Sequence, residues 1–165
     1  MTSATIEMVR GDVKAAIRVQ AVVFDRFGGP EVYRVSEVRV PAPGKGEVRV
    51  RVHAASINPI DWKVRKGELK LMSGSRFPMR AGGDFSGVIE AVGPGVAAWK
   101  VGDDVMGMGV GLKGSAFADA VVVPAENVVR KPANVSFDEA RASWSRSPPS
   151  RPSATWPRCA PARAC

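Results

Sequence analysis

The sequence predicts a mainly β domain, a partly open barrel or sandwich with short helical turns, and two observations point there. Apolar residues between Gln20 and Ala140 recur mostly with period two in short runs. Turn-forming glycine and proline punctuate those runs at short intervals, as in "FGGPEV", "PAPGKG" and "AVGPGV".

The elements follow in chain order. "QAVVFD" reads as a strand from Gln20, Gly28-Gly29-Pro30 as a turn, and Tyr33, Val35, Val38 and Val40 as the apolar positions of a second strand. "EVRVRVHAAS" places Val48, Val50, Val52 and Ala54 on one face and Arg49, Arg51 and His53 on the other, the mark of a half-buried strand. "NPIDWKVRKGELKLMSG" is a turn with one helical turn, and "FSGVIEAVGPGV", "GDDVMGMG", "FADAVVVPAENVVRKP" and then "SFDEA" read by pattern as further short strands. Ser136 and Glu139 have capping-box spacing and announce a helix. At 165 residues the chain holds one domain's worth of core.

Charge is concentrated at the C-terminus. The formal charge is +8, yet five arginines from Arg141 onward meet no acid, which leaves 19 of the 24 basic residues against 16 acids before them. The body is therefore ordinary in charge. Both cysteines, Cys159 and Cys165, lie in the same tail, so the body offers no thiolate metal site, and a reducing, cytoplasmic setting is expected. No apolar run approaches the ~20 residues that span a bilayer, so no membrane partner is expected. Residues 1–19 form a leader with no long apolar stretch and are expected to be poorly ordered.

Two motifs invite chemistry and lack the context for it. "GVGLKG", Gly109 to Gly114, has dinucleotide-loop spacing but leads into the strand-like "SAFADAVVV", where a phosphate-binding loop needs a helix N-terminus. His53 is the only histidine, in a basic strand, and without cysteine it has no partners for a catalytic zinc. A solvated or edge histidine is the expectation.

"AASINPIDWKVRKG", "RAGGDFSGVIEAVGPGV", "VGDDVMG" and "FADAVVVPAENVVRKPANVSFDEA" resemble the N-terminal half of the zinc-free quinone and enone oxidoreductases of the medium-chain dehydrogenase/reductase superfamily. The resemblance covers Gln20 to Ala140. It implies a GroES-like partly open β-barrel that holds the substrate side of a cleft, with NADP(H) carried by a Rossmann half that this chain lacks. The implied substrates are quinones or α,β-unsaturated carbonyls. Zinc-dependent relatives place a ligand cysteine near Asn58 and a ligand histidine near Asp84, and this chain also lacks their four-cysteine lobe, so no zinc is expected. By the same resemblance Asn58 would face the nicotinamide of the cofactor, Asp61 would order the loop or a bound water, and Lys63 would hydrogen-bond the substrate oxygen. The alternative for Asn58 and Asp61 is that they simply cap a short turn.

The expected domain organisation is thus 1–19 leader, 20–140 GroES-like domain and 141–165 tail. "SWSRSPPSRPSATWPRCAPARAC" has no Gly, Val, Ile, Leu, Met, Phe, Asp or Glu and cannot offset its ordering entropy, so disorder is expected. Reading each codon from its third base forces Ala across Trp156-Pro157 and Leu, Val or Met across Thr155-Trp156 and Ser143-Trp144. With free choice of degenerate bases the segment reads LVALTALQALSDLAKVRPGEGV, which resembles the family's linker helix. An out-of-frame ending is the expectation, and this truncated reductase would be inactive alone. Two alternatives stay open: a basic tail that binds nucleic acid non-specifically by counterion release, and a GroES-like interaction module without catalysis.

Overall fold

The computed structural model describes residues 15–109 and 115–141. The leader up to residue 14, the tail from residue 142 and all of "GVGLKG" except Gly109 lie outside the described residues.

Eight strands and three short helices make up the described chain: β1 (Ile17–Phe24), β2 (Tyr33–Val40), β3 (Glu47–Ser56), α1 (Pro59–Lys66), α2 (Lys70–Ser73), β4 (Met79–Arg80), β5 (Asp84–Val92), β6 (Asp104–Met108), β7 (Ala120–Pro124), β8 (Val128–Arg130) and α3 (Phe137–Ala140). They form two antiparallel sheets, β2-β1-β4 and β7-β3-β5-β6-β8, an open form of the mainly β fold that the alternation predicts. A three-residue 3₁₀ turn at Pro30–Val32 joins β1 to β2.

Strand β1 begins at Ile17, three residues ahead of the predicted Gln20, because Ile17, Arg18 and Val19 pair with Val40, Arg39 and Val38 of β2. Val35 is 68% exposed and does not share the inward face of Val38 and Val40. Strict alternation cannot put residues three apart on one face, and β2 keeps the register that buries Val40.

Strand β3 also departs from simple alternation. Register shifts fall between Arg49 and Val50 and between Val52 and Ala54 of its pairing with β5. Arg49, predicted to face outward, is 5% exposed; its Nε donates to Glu90 at 2.6 Å and its Nη1 to the Ala15 carbonyl at 2.8 Å. A buried guanidinium is tolerated there because a carboxylate and a carbonyl meet it. Gly87 of β5 faces this crowded stretch. A Cβ there would fall inside the contact radius of the Arg51 carbonyl oxygen.

The main core joins Val48 and Val50 of β3, Phe85 and Ile89 of β5, Val105 of β6, and Val121 and Val123 of β7. A second cluster, Phe24, Val32, Val64 and Met79, packs α1 onto the three-stranded sheet. Asn58 precedes Pro59, whose fixed φ suits the first helical position. Asp61 accepts the Asn58 backbone N–H at 2.7 Å, and Gly67 stops the helix at φ 81°, a left-handed conformation suited to glycine. What the sequence predicted as one helical turn is therefore two.

Helix α3 carries the predicted capping box: the Glu139 N–H donates to Ser136 Oγ at 3.2 Å and the Ser136 N–H to Glu139 Oε2 at 2.9 Å. It is tied to the larger sheet by Ser86 Oγ, which donates to the Phe137 carbonyl at 2.6 Å, and by Ser56 Oγ, which donates to that of Arg141 at 3.1 Å. His53 is exposed and stacks on the Phe137 ring at 4.4 Å between centroids.

Candidate active site

Helix α1 and the start of β5 enclose a cavity of about 170 Å³ together with β1, β2 and β4. Its walls include Phe24, Tyr33, Val64 and Met108, with Asn58, Asp61, Arg80, Gly83 and Asp84 as the polar features. Val64 turns into the core below the cavity, so one helix supplies both the packing that fixes α1 and the side chains that line the space.

Asn58 joins the two carboxylates. Its backbone N–H goes to Asp61, and its Nδ2 donates to Asp84 Oδ2 at 3.0 Å. Asp61 is 9% exposed and Asp84 3%. Burial pushes both carboxyls above the usual carboxylate range, because desolvation penalises the charged form; the Asn58 hydrogen bonds act against that push, and the Asp61 charge raises Asp84 further. Tyr33 is likewise raised by burial. Among the described residues no ion pair reaches either carboxylate.

The glycines beside Asp84 shape the wall. Gly82 has φ 91°, and a Cβ there would run into the Phe117 ring and backbone. Gly83 is open, since a Cβ there would meet only Asp61 Oδ1 at 3.9 Å. The Gly83 carbonyl accepts from Gly109 N at 2.6 Å and that of Gly82 from Ser115 N at 2.8 Å, so Gly109 and Ser115 are fastened beside the cavity.

Of the three residues singled out in the sequence, the structure brings Asn58 and Asp61 to the cavity. Lys63 lies two positions beyond Asp61, about 200° around the helix, exposed, with Nζ 5.6 Å from the Trp62 ring centroid. The sequence did not mark Tyr33, Arg80 or Gly83, which reach the site from separate strands and loops. In the sequence Asp84 stands out only by its place near a zinc-ligand position of the zinc-dependent relatives. The adjacent Asn-Pro and Gly-Gly pairs were the available signals.

An apolar-walled cavity in an open β domain, lined by an amide and two buried carboxylates, has the make-up of a small-molecule site. The chain belongs to the family described as alcohol dehydrogenase GroES-like domain, which matches residues 44–133. Its homologues include quinone oxidoreductases of the medium-chain dehydrogenase/reductase superfamily. It is 36% identical over 127 residues to the synaptic vesicle membrane protein VAT-1 homolog-like of Mus musculus, covering 77% of this chain and 29% of that protein. It is 33% identical over 129 residues to the chloroplastic quinone-oxidoreductase homolog of Spinacia oleracea, covering 78% and 39%. The crystal structure of Escherichia coli quinone oxidoreductase complexed with NADPH superposes with a TM-score of 0.68 at 30% identity, covering 75% of this chain and 36% of that one. The chain thus spans about a third of the length of the curated relatives it matches. Among the described residues no helix is long and apolar enough to cross a membrane.

Proposed function

We propose that residues 20–140 are the substrate-side domain of a zinc-free, NADPH-dependent reductase of quinones and α,β-unsaturated ketones, working in the cytoplasm. The observation that carries this reading is the Asp61–Asn58–Asp84 arrangement on the wall of an apolar cavity. The donor chemistry does not fit zinc: an amide and two carboxylates, one amide N–H already given to Asp84, offer neither thiolate nor imidazole.

The same residues fit one end of a nicotinamide cofactor. Asn58 presents its amide on the cavity wall, and Gly83 leaves the space a Cβ would fill. Nothing among the described residues forms a glycine loop that opens a helix of the length a pyrophosphate needs. Binding of the nucleotide therefore depends on a Rossmann unit, and the 165-residue chain is inactive alone in this reading. When bound, the cofactor supplies hydride. The chain's own residues hold the acceptor carbonyl: the second Asn58 amide N–H, the Tyr33 hydroxyl and Arg80 are the donors on the cavity wall that can meet negative charge on a substrate oxygen.

The test is a backbone-resolved NMR titration with 2-cyclohexenone and with a simple benzoquinone. Shifts should map to Asn58, Asp61, Gly83 and Asp84. Shifts that bypass this cavity would refute the site.

A further inference from the structure

We propose that Asp84 enters the reaction protonated and delivers that proton to the substrate, with Asp61 returning it from solvent. This rests on the reductase reading above and assigns the second half of its chemistry. Hydride addition to the β-carbon of an enone moves the C=C electron pair toward the carbonyl and leaves an enolate. The α-carbon then needs a proton. The Asp84 O–H bond breaks, a C–H bond forms at the α-carbon, and Asp84 remains as a carboxylate until a proton arrives through Asp61.

Three features of the geometry carry the assignment. Asp84 is among the residues that line the cavity and is 97% buried, so its carboxyl is withdrawn from bulk water beside the substrate space. Its Oδ2 accepts from Asn58, so a proton on this carboxyl belongs on Oδ1, which has no protein partner among the described residues. Asp61, the second buried carboxyl, is held by the same asparagine, and two like charges sharing one polar partner in an apolar-walled space favour keeping one proton between them.

The neighbouring charges are mixed. Asp61 faces the pair from α1, and Tyr33 and Arg80 line the cavity from β2 and β4. Arg65 of α1, 7% exposed, sits over the Tyr33 ring at 5.3 Å rather than on either carboxylate. Burial is the leading cause of the raised carboxyls, which agrees with a proton held there. Asp61 is the more exposed of the two and its Oδ1 points toward Gly83, the open side of the wall, which suits it to exchange with solvent.

The experiment is a carboxyl-¹³C NMR titration of the full chain with labelled aspartate. The Asp84 signal should have its midpoint above that of free aspartate in the same buffer, and Asp61→Asn should shift it downward. A midpoint at or below free aspartate overturns the proposal, and the wild-type titration alone decides this if Asp61→Asn fails to fold. Adding 2-cyclohexenone should then displace the Asp84 signal and move its midpoint. A raised midpoint with no response to the enone would leave the proton in place and instead overturn the reductase reading, so the two failures are distinguishable.

Discussion

Replacing Asn58 with alanine removes the Nδ2 donor to Asp84 and keeps the backbone N–H that serves Asp61. A hydrogen bond to a charged group is worth about 1.5–3 kcal/mol, and leaving a buried carboxylate without it costs in that range. Asn58 is only half-buried, so water can replace part of its amide, which sets the expected loss near the low end at about 1.5 kcal/mol. With a slope of ~2 kcal/mol/M, the urea midpoint should fall by about 0.7 M at pH values where Asp84 is ionised. The loss must depend on pH. Asp84 is raised above its unfolded value, so its contribution to stability is present below the ordinary carboxylate range and is lost as pH rises through the folded value. Because Asn58 favours the charged form, Asn58→Ala should move Asp84 higher still. The variant should approach wild-type stability in acid and fall away from it as pH rises. Urea unfolding followed by tryptophan fluorescence from pH 4 to 8 measures this. A pH-independent loss, or none, would refute the assigned bond.

Two further outcomes test the scaffold. Gly87→Ala drives a methyl into the Arg51 carbonyl oxygen, backbone against backbone, and should cost upwards of about 3 kcal/mol, whereas Gly102→Ala, strained only by its φ of 93° with nothing near its Cβ, should cost about 1–2 kcal/mol; equal urea midpoints for the two would refute the close approach of β3 and β5. The Arg130 guanidinium beside Asp103 holds that carboxyl below the usual range, so its contribution is present above the ordinary carboxylate range and is lost as pH falls through the folded value; Asp103→Asn should flatten the acid side of the stability curve, and an unchanged acid side would contradict the pair.

The parts of the fold that were legible are those encoded locally. The Ser136–Glu139 box and the Asn58-Pro59 helix start are decided within four residues, and the aliphatic positions of β3 follow strand period. The burial of Arg49 is not legible in the sequence, because it depends on Glu90, 41 positions away, and on a register shift that no local pattern announces. The site was half legible for the same reason. Asn58 and Asp61 share one helix start, but the Asn58–Asp84 bond spans 26 positions and exists only once α1 packs beside β5. Lys63 belongs to the same motif, yet it is exposed with its Nζ 5.6 Å from the Trp62 ring centroid and is not among the residues that line the cavity.

As proposed, this domain supplies the substrate side of an NADPH-dependent reductase and needs a nucleotide-binding unit to act. Joining residues 1–140 to the C-terminal portion of the spinach quinone-oxidoreductase homolog and following NADPH oxidation with a benzoquinone and with 2-cyclohexenone tests it most directly. The account predicts turnover by the fusion, a tenfold or greater loss with Asn58→Ala from removing one donor, and no turnover by the 165-residue chain alone. A fusion that binds NADPH yet reduces neither acceptor, or a 165-residue chain that turns over alone, would contradict it.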